Sequence, residues 1–316
     1  MKTVFLDYDS VSTGDLDTSD LRKAADELVL YESKDLDIAE CIRDADVVLV
    51  NTLQLRREVL INAPKLKLIA LAATGTDNID LVAARERGIG VCNLRAYCTA
   101  SVVQHVWGLI LSLTQHVVDY SRLAKDGSWA RDEAGTVLSQ PIRELQGRVF
   151  GVIGWGELGR SAARVAETFG MRVIVANRRG EPPREGRVKL EQLLAEAVIV
   201  SLHCPLDAST RGLIGARELA LMKPDALLIN TARGALVDSA ALAAALKSGR
   251  LGGAGIDVLP QEPPVSGDPL LDPDIPNLFV TPHIAWSARE ARQRCVDEMA
   301  ANIWDFRRGG RRGRVV

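Results

Sequence analysis

RVFGVIGWGELGR, residues 148–160, is the stretch whose reading decides the fold. An apolar run, Val149-Phe150-Gly151-Val152-Ile153, leads into Gly154, Gly156 and Gly159 at the spacing G-x-G-x-x-G. Ala162, Val165, Ala166 and Phe169 then recur at helical spacing over Ser161–Phe169. A buried strand that passes through a tight glycine turn into a helix is the dinucleotide-binding fingerprint. Each glycine has its own reason. Gly154 permits the turn, Gly156 lets the backbone approach a pyrophosphate, and Gly159 lets helix and strand pack closely. The helix start, with Glu157 and Leu158 in the turn, offers free N–H groups and a positive dipole end to the phosphates.

Composition narrows the setting. The chain has 316 residues, a length for which two domains are the expectation. It is 47% hydrophobic and 25% charged with a net charge of -2, so charge gives no argument for a nucleic-acid partner. The one basic run, Arg307-Arg308 with Arg311, Arg312 and Arg314, stands among glycines and reads as a frayed, solvated tail. Five cysteines without a CxxC pair argue for free thiols in a reducing, cytoplasmic setting and against a zinc site or disulfides. The N-terminus reads as a first strand and not as a signal peptide, and no apolar stretch is long enough to span a membrane.

Around the fingerprint, strands and helices alternate. Val4–Leu6, Asp46–Val50, Leu66–Leu71 and Ile89–Cys92 read as buried parallel strands. Ser19–Leu28 reads as a short helix, and Asp80 as the cap of a helix reaching about Arg87. Residues 1–98 thus predict one doubly wound layer. Thr99–Tyr120 reads as a single long helix, apolar around much of its circumference, that must bury more than one face at a subunit interface or an interdomain core. Lys125–Gln140 reads as a loop. From Arg148 a second block follows, with strands at Arg172–Ala176, Ala197–Leu202, Ala226–Asn230, Gly253–Val258 and Leu278–Thr281. Its helices fall at Lys189–Glu196, Ala216–Met222 and Ser239–Ser248, and a last helix spans Ser287–Phe306. The fold class is therefore α/β, with two Rossmann-like parallel sheets. The cofactor domain, 99–286, is inserted into a substrate domain made of 1–98 and 287–316. Two chain crossings between the domains predict hinge closure over the substrate.

The end of the second strand of such a domain selects the cofactor. A carboxylate about 20 residues beyond the glycines binds the ribose 2′-OH of NAD. Here the strand ends in Asn177-Arg178-Arg179, 18 residues past Gly159 and without an acid. Two guanidiniums suited to a 2′-phosphate predict NADP(H) over NAD(H). The alternative is a solvated arginine loop with a selecting acid elsewhere.

Three further stretches deliver polar groups to strand ends, where open α/β sheets bind ligands. They are Asn230-Thr231-Ala232-Arg233, Asp257-Val258-Leu259-Pro260-Gln261-Glu262 and Thr281-Pro282-His283-Ile284. Taken singly, these are a loop arginine, loop carboxylates and a structural histidine. Taken together with ATGTDNID (73–80), SVVQH, VIGWGELG, HCPL, INTARG and TPHIAW, they resemble the D-isomer-specific 2-hydroxyacid dehydrogenases over essentially the full chain. The nearest likeness is to the glycerate dehydrogenase and hydroxypyruvate/glyoxylate reductase branch.

The resemblance implies roles. His283 is the expected acid/base, oriented by Glu262, which stabilises its protonated form. Arg233 is expected to bind the substrate carboxylate and polarise the keto oxygen, with the backbone at Thr74, Gly75 and Thr76 completing the cradle. Trp286 is a candidate for shaping the pocket, with packing at the domain junction as its alternative, and Trp129 a candidate for reaching a partner's site. His203, Cys204 and Pro205 are expected beside the cofactor, and Thr231, Ala232 and Asp257 beside its nicotinamide. His105 is expected to be a hydrogen-bonded helix residue. The implied reaction is reduction of glyoxylate or hydroxypyruvate, and its reverse, by a homodimer joined through the 99–120 helix, with no metal, membrane or nucleic-acid partner. Competing readings are a D-lactate-type or phosphoglycerate specificity, or a nucleotide-sensing interaction protein on the same fold. Trp155, between the first two glycines, has no sequence-level explanation.

Overall fold

A computed structural model describes residues 1–178, 180–182 and 184–316. The chain divides into two compact units, Met1–Cys98 with Trp286–Val316, and Thr99–Ala285.

The first unit carries β1 (Lys2–Phe5), α1 (Ser19–Ala24), β2 (Glu27–Leu30), α2 (Ile38–Ile42), β3 (Val47–Val50), α3 (Arg57–Leu60), β4 (Leu68–Leu71), α4 (Leu81–Glu86) and β5 (Gly90–Cys92). The strands form one parallel sheet in the order β2-β1-β3-β4-β5. β3 and β4 are buried at every position, as a strand covered on both faces must be. The Asp80 side chain caps α4 by accepting from Ala83 N–H at 2.8 Å.

The second unit begins with α5 (Thr99–Gln115) and α6 (Val117–Lys125). It continues with β6 (Val149–Ile153), α7 (Glu157–Thr168), β7 (Arg172–Val175), α8 (Leu190–Glu196), β8 (Ile199–Leu202), α9 (Ala216–Leu221), β9 (Leu227–Asn230), α10 (Ser239–Lys247), β10 (Gly253–Ile256) and β11 (Leu278–Val280). Its parallel sheet runs β11-β10-β9-β8-β6-β7. The winding reverses between β6 and β8, the switch point where ligands bind in such sheets. α5 packs within this unit on α7, β9 and β10. Its Trp107 stacks on Phe150 and Phe169 at 5.7 and 4.9 Å between centroids. The chain then returns to the first unit as α11 (Arg289–Arg307), whose Cys295, Val296, Met299 and Ile303 are buried against the sheet.

The remaining strand bounds lie within two residues of those read from sequence, but four expectations change. The helix expected over Ser19–Leu28 ends at Ala24, and Glu27–Leu30 is an edge strand paired only with β1. Its apolar residues fit a helix end as well as a strand, and its partner is distant in sequence. The helix expected over Thr99–Tyr120 breaks at His116, which sits in the left-handed region at φ 47°. Val117 and Val118 continue the apolar pattern and mask the break. The basic C-terminal run is not frayed. Arg314 bridges Cys92, Val315 N–H donates to Val91 O at 2.8 Å, and Arg307 pairs with Asp26 at 2.9 Å. β5 would otherwise be an open edge, and the tail supplies its missing partners. Finally, Trp286, expected as the last residue of the inserted domain, belongs to the first unit, its ring 6.5 Å from that of Tyr97.

Candidate active site

The glycine turn follows its steric logic. Gly154 has φ 100°, and a Cβ there would lie 2.5 Å from Cys204 N and from the His203 carbonyl carbon. At Gly159 a Cβ would lie 2.0 Å from Gly154 O, so strand and helix pack backbone to backbone. Gly156 opens onto free space. α7 starts at Glu157, earlier than the apolar pattern shows, because Gly159 occupies its first turn. The Glu157 carboxylate accepts from the Thr99 hydroxyl at 2.7 Å, so this expected cofactor residue is engaged within the protein.

At the switch point, His203 Nε2 pairs with Ser201 Oγ at 2.8 Å. Burial pushes the His203 imidazole down to about 4 and the Cys204 thiol up to about 11, so both are neutral near pH 7. His203 Nδ1 and Thr231 Oγ1 are shielded from solvent and have no hydrogen-bond partner among the described residues. They belong to residues just past the ends of the adjacent strands β8 and β9, which pair Leu202 with Asn230. Shielded, unsatisfied polar atoms beside an open glycine turn fit a dinucleotide, which would supply the missing partners.

β9 ends in the buried Asn230, which shapes the next turn. Its Oδ1 accepts from Ala232 N–H at 3.0 Å, and its Nδ2 donates to Arg233 O at 2.9 Å. The Arg233 guanidinium donates through Nη1 to Ala232 O at 2.8 Å. A Cβ on Gly234 would lie 2.0 Å from the Leu259 carbonyl carbon, so this turn lies against the loop carrying Glu262. Glu262 Oε1 accepts from Leu259 N–H at 2.8 Å, and Oε2 accepts from His283 Nδ1 at 2.6 Å. Burial pushes the Glu262 carboxyl up. The His283 hydrogen bond and charge, the Leu259 N–H and the Arg233 charge more than reverse this and hold it below the usual carboxylate range. Arg233, Glu262 and His283, far apart in sequence, are thus brought together at the strand ends.

His283 itself has φ 53°, an uncommon conformation for a residue with a Cβ. Asp257, 1% exposed, maintains it. Its backbone O accepts from His283 N–H at 2.8 Å. Its carboxylate accepts from the Thr281 hydroxyl at 2.6 Å and from Ile284 and Ala285 N–H, each at 2.9 Å. Asp257, expected beside the nicotinamide, thus uses its carboxylate to hold the turn that carries His283. The Thr281 oxygen also lies 3.0 Å from His105 Nε2 on α5, so His105 buttresses the same turn. Nothing local in sequence announces these links.

At the selector, Asn177 Nδ2 donates to Glu181 O at 2.9 Å and to Pro182 O at 3.1 Å, which closes its own loop. Arg178 pairs with Asp207 at 3.2 Å and with Glu181 at 3.4 Å. Arg179 lies outside the described residues. Trp155 does acquire a partner, because the Arg187 guanidinium lies 5.3 Å from its ring centroid. In the first unit, the N–H groups of Thr74, Gly75 and Thr76 donate to nothing among the described residues, while Thr74 O accepts from Asn93 Nδ2 at 2.7 Å. Trp129 is exposed, its Nε1 donating to Gly135 O at 3.1 Å. No helix among the described residues is long and apolar enough to cross a membrane.

Residues 107–285 match the family described as D-isomer specific 2-hydroxyacid dehydrogenase, NAD binding domain. The chain is 43% identical over 270 residues to a glycerate dehydrogenase of Methylorubrum extorquens, with 85% of each chain covered. It is 33% identical over 317 residues to a hydroxypyruvate reductase of Blautia hydrogenotrophica, with 98% of each covered. Among solved structures, the TT0316 protein of Thermus thermophilus superposes with a TM-score of 0.87 at 34% identity, over 100% of both chains. Sequence, sheet order and strand-end chemistry converge: the chain belongs to the D-isomer-specific 2-hydroxyacid dehydrogenases and is an NAD(P)-dependent oxidoreductase of 2-hydroxy acids.

Proposed function

We propose that this enzyme interconverts glyoxylate or hydroxypyruvate with glycolate or D-glycerate and prefers NADP(H). The observation that carries the chemistry is the 2.6 Å His283–Glu262 pair, held beside Arg233. The relatives named for glycerate and hydroxypyruvate support the substrate class. The missing carboxylate at Asn177 supports the cofactor choice.

The dinucleotide, when bound, supplies or accepts the hydride at C2. Gly154–Gly159, His203–Pro205, Thr231 and Ala232 are the residues that would hold it. Glu262, ionised and therefore an acceptor only, keeps the His283 Nδ1 proton in place. Nε2 is then the atom that gives a proton to the keto oxygen in reduction and takes it back in oxidation. Arg233 binds the substrate carboxylate through its planar fork and stabilises charge developing on the oxygen. For Thr74, Gly75 and Thr76 we propose a substrate-binding role through their free N–H groups.

Following NADPH and NADH oxidation with glyoxylate, hydroxypyruvate, pyruvate and phenylpyruvate tests the reading. The highest kcat/KM is expected for one of the first two substrates with NADPH. A lead for pyruvate or phenylpyruvate removes the substrate assignment, and a lead for NADH removes the cofactor assignment.

We also propose a homodimer in a reducing, cytoplasmic setting, consistent with five free thiols. The apolar surface of α5 is largely covered within its own unit, so the interface is placed next to it in sequence. Val117, Val118, Trp129, Leu138 and Ile142 are exposed there. Light scattering should give a mass twice 34.2 kDa, and a monomer at micromolar concentration would refute the dimer.

A further inference from the structure

We infer that Arg187, seated on the Trp155 ring, is the residue of this chain that recognises the adenosine 2′-phosphate of NADP(H). The inference rests on the NADP(H) reading above. It moves the phosphate contact from the strand end at Asn177-Arg178 to a second segment ten residues further along the chain.

Backbone pairing brings that segment to the selector. After a turn closed by Arg187 N–H donating to Arg184 O at 3.1 Å, Val188 forms a parallel bridge with Ala176, one residue beyond β7. Val188 N–H donates to Val175 O at 3.0 Å, and Asn177 N–H donates to Val188 O at 2.7 Å. Arg187 is therefore fixed next to the residue position that distinguishes a ribose 2′-OH from a 2′-phosphate.

The glycine turn supplies a platform. Trp155 is half-buried, and Arg160 Nη1 donates to its carbonyl at 3.1 Å. The Arg187 guanidinium carbon lies 5.3 Å from the indole centroid. A guanidinium held over an aromatic ring is oriented without using its N–H groups, which leaves them for phosphate oxygens. This also gives a physical reason for a large indole between two glycines.

Charge separates Arg187 from its neighbours. Arg178 is paired with Asp207 and Glu181, and Arg184 with Glu181. Among the described residues no carboxylate pairs with Arg187. Burial and the charges of Arg184 and Arg160 hold its basicity below the usual value. A partly buried cation facing cations is electrostatically unsatisfied. A phosphate monoester, close to doubly negative at pH 7, satisfies it, whereas a neutral hydroxyl does not. Arg178 must first give up its two carboxylates.

The test is equilibrium binding by intrinsic tryptophan fluorescence, with NADPH, NADH and the fragment pair 2′,5′-ADP and 5′-AMP as probes. It compares wild type, Arg187→Gln and Arg178→Gln, each checked for native circular dichroism. Wild type should bind NADPH and 2′,5′-ADP more tightly than their unphosphorylated counterparts. Arg187→Gln should weaken the two phosphorylated probes about 10- to 100-fold, the range for losing a charge-assisted contact, and shift the others far less. Arg178→Gln should weaken them less than Arg187→Gln does. If wild type prefers the phosphorylated probes but Arg187→Gln leaves that preference within threefold, the assignment to Arg187 is overturned and the NADP(H) reading survives. If wild type shows no preference for the phosphorylated probes, the NADP(H) reading fails and this inference with it.

Discussion

Replacing His283 with alanine should lower kcat about 10²- to 10⁴-fold, the usual contribution of a positioned acid/base, with a smaller change in KM. The substitution removes the proton donor but leaves Arg233 and the dinucleotide residues in place. It also changes Glu262. In the wild type, burial raises the Glu262 carboxyl while the His283 hydrogen bond and charge bring it below its usual range. Without His283 the burial effect stands less opposed, so the carboxyl should titrate at a higher pH. The sign for stability follows. A depressed folded-state value contributes stability that is present above the unfolded value and lost as pH falls through the folded one. His283→Ala should therefore lose Tm at pH 7 and show a smaller further loss on acidification through the carboxylate range. Thermal melts between pH 3 and 7, beside steady-state kinetics, provide both readouts. Full turnover in the variant would mean that the proton comes from another group.

Arg233→Gln should have the larger effect on kcat/KM, a fall of about 10³- to 10⁵-fold. Two losses combine. A charged hydrogen bond to the substrate carboxylate contributes about 1.5–3 kcal/mol, and a donor aimed at developing oxygen charge about 2.7–4 kcal/mol. KM should rise and kcat should fall, because the guanidinium acts on the bound substrate and on the transition state. Arg233→Lys should recover only part of the loss, since an ammonium keeps the charge but not the planar fork. The turn itself should survive, because Asn230 holds Ala232 and Arg233 through backbone atoms. Partial rescue of the glutamine variant by added guanidinium would separate loss of function from loss of fold. If KM does not change in either variant, Arg233 does not bind the substrate.

Much of the fold can be read directly from sequence because its rules are local. Strands covered on both faces read as unbroken apolar runs, as at Val47–Val50 and Leu227–Asn230. The glycine turn is set by the sterics of a few adjacent residues, so Gly154 and Gly159 could be assigned before any partner was known. Arg233, Glu262 and His283 were picked out because their stretches follow strands of a parallel sheet and, taken together, resemble the motifs of one family. Asp257 was singled out from sequence, but its hydrogen bonds to the His283 turn were not. Its acceptors are filled by Thr281, Ile284 and Ala285, 24 to 28 residues away.

By itself, then, the sequence determined two parallel α/β layers, a dinucleotide turn and three polar groups at strand ends, because backbone sterics and hydrophobic periodicity act within a few residues. Only the tertiary structure decided where β2 pairs, where the long helix breaks at His116 and how the basic tail closes the β5 edge. It alone showed that Asp257 and His105 support the His283 turn. These depend on hydrogen bonds and ion pairs between distant residues, which carry no local signature. Residues 154–160 show both sides. The glycines follow from the spacing, but Trp155 finds its reason only when a bridge between Ala176 and Val188 brings Arg187 onto its ring.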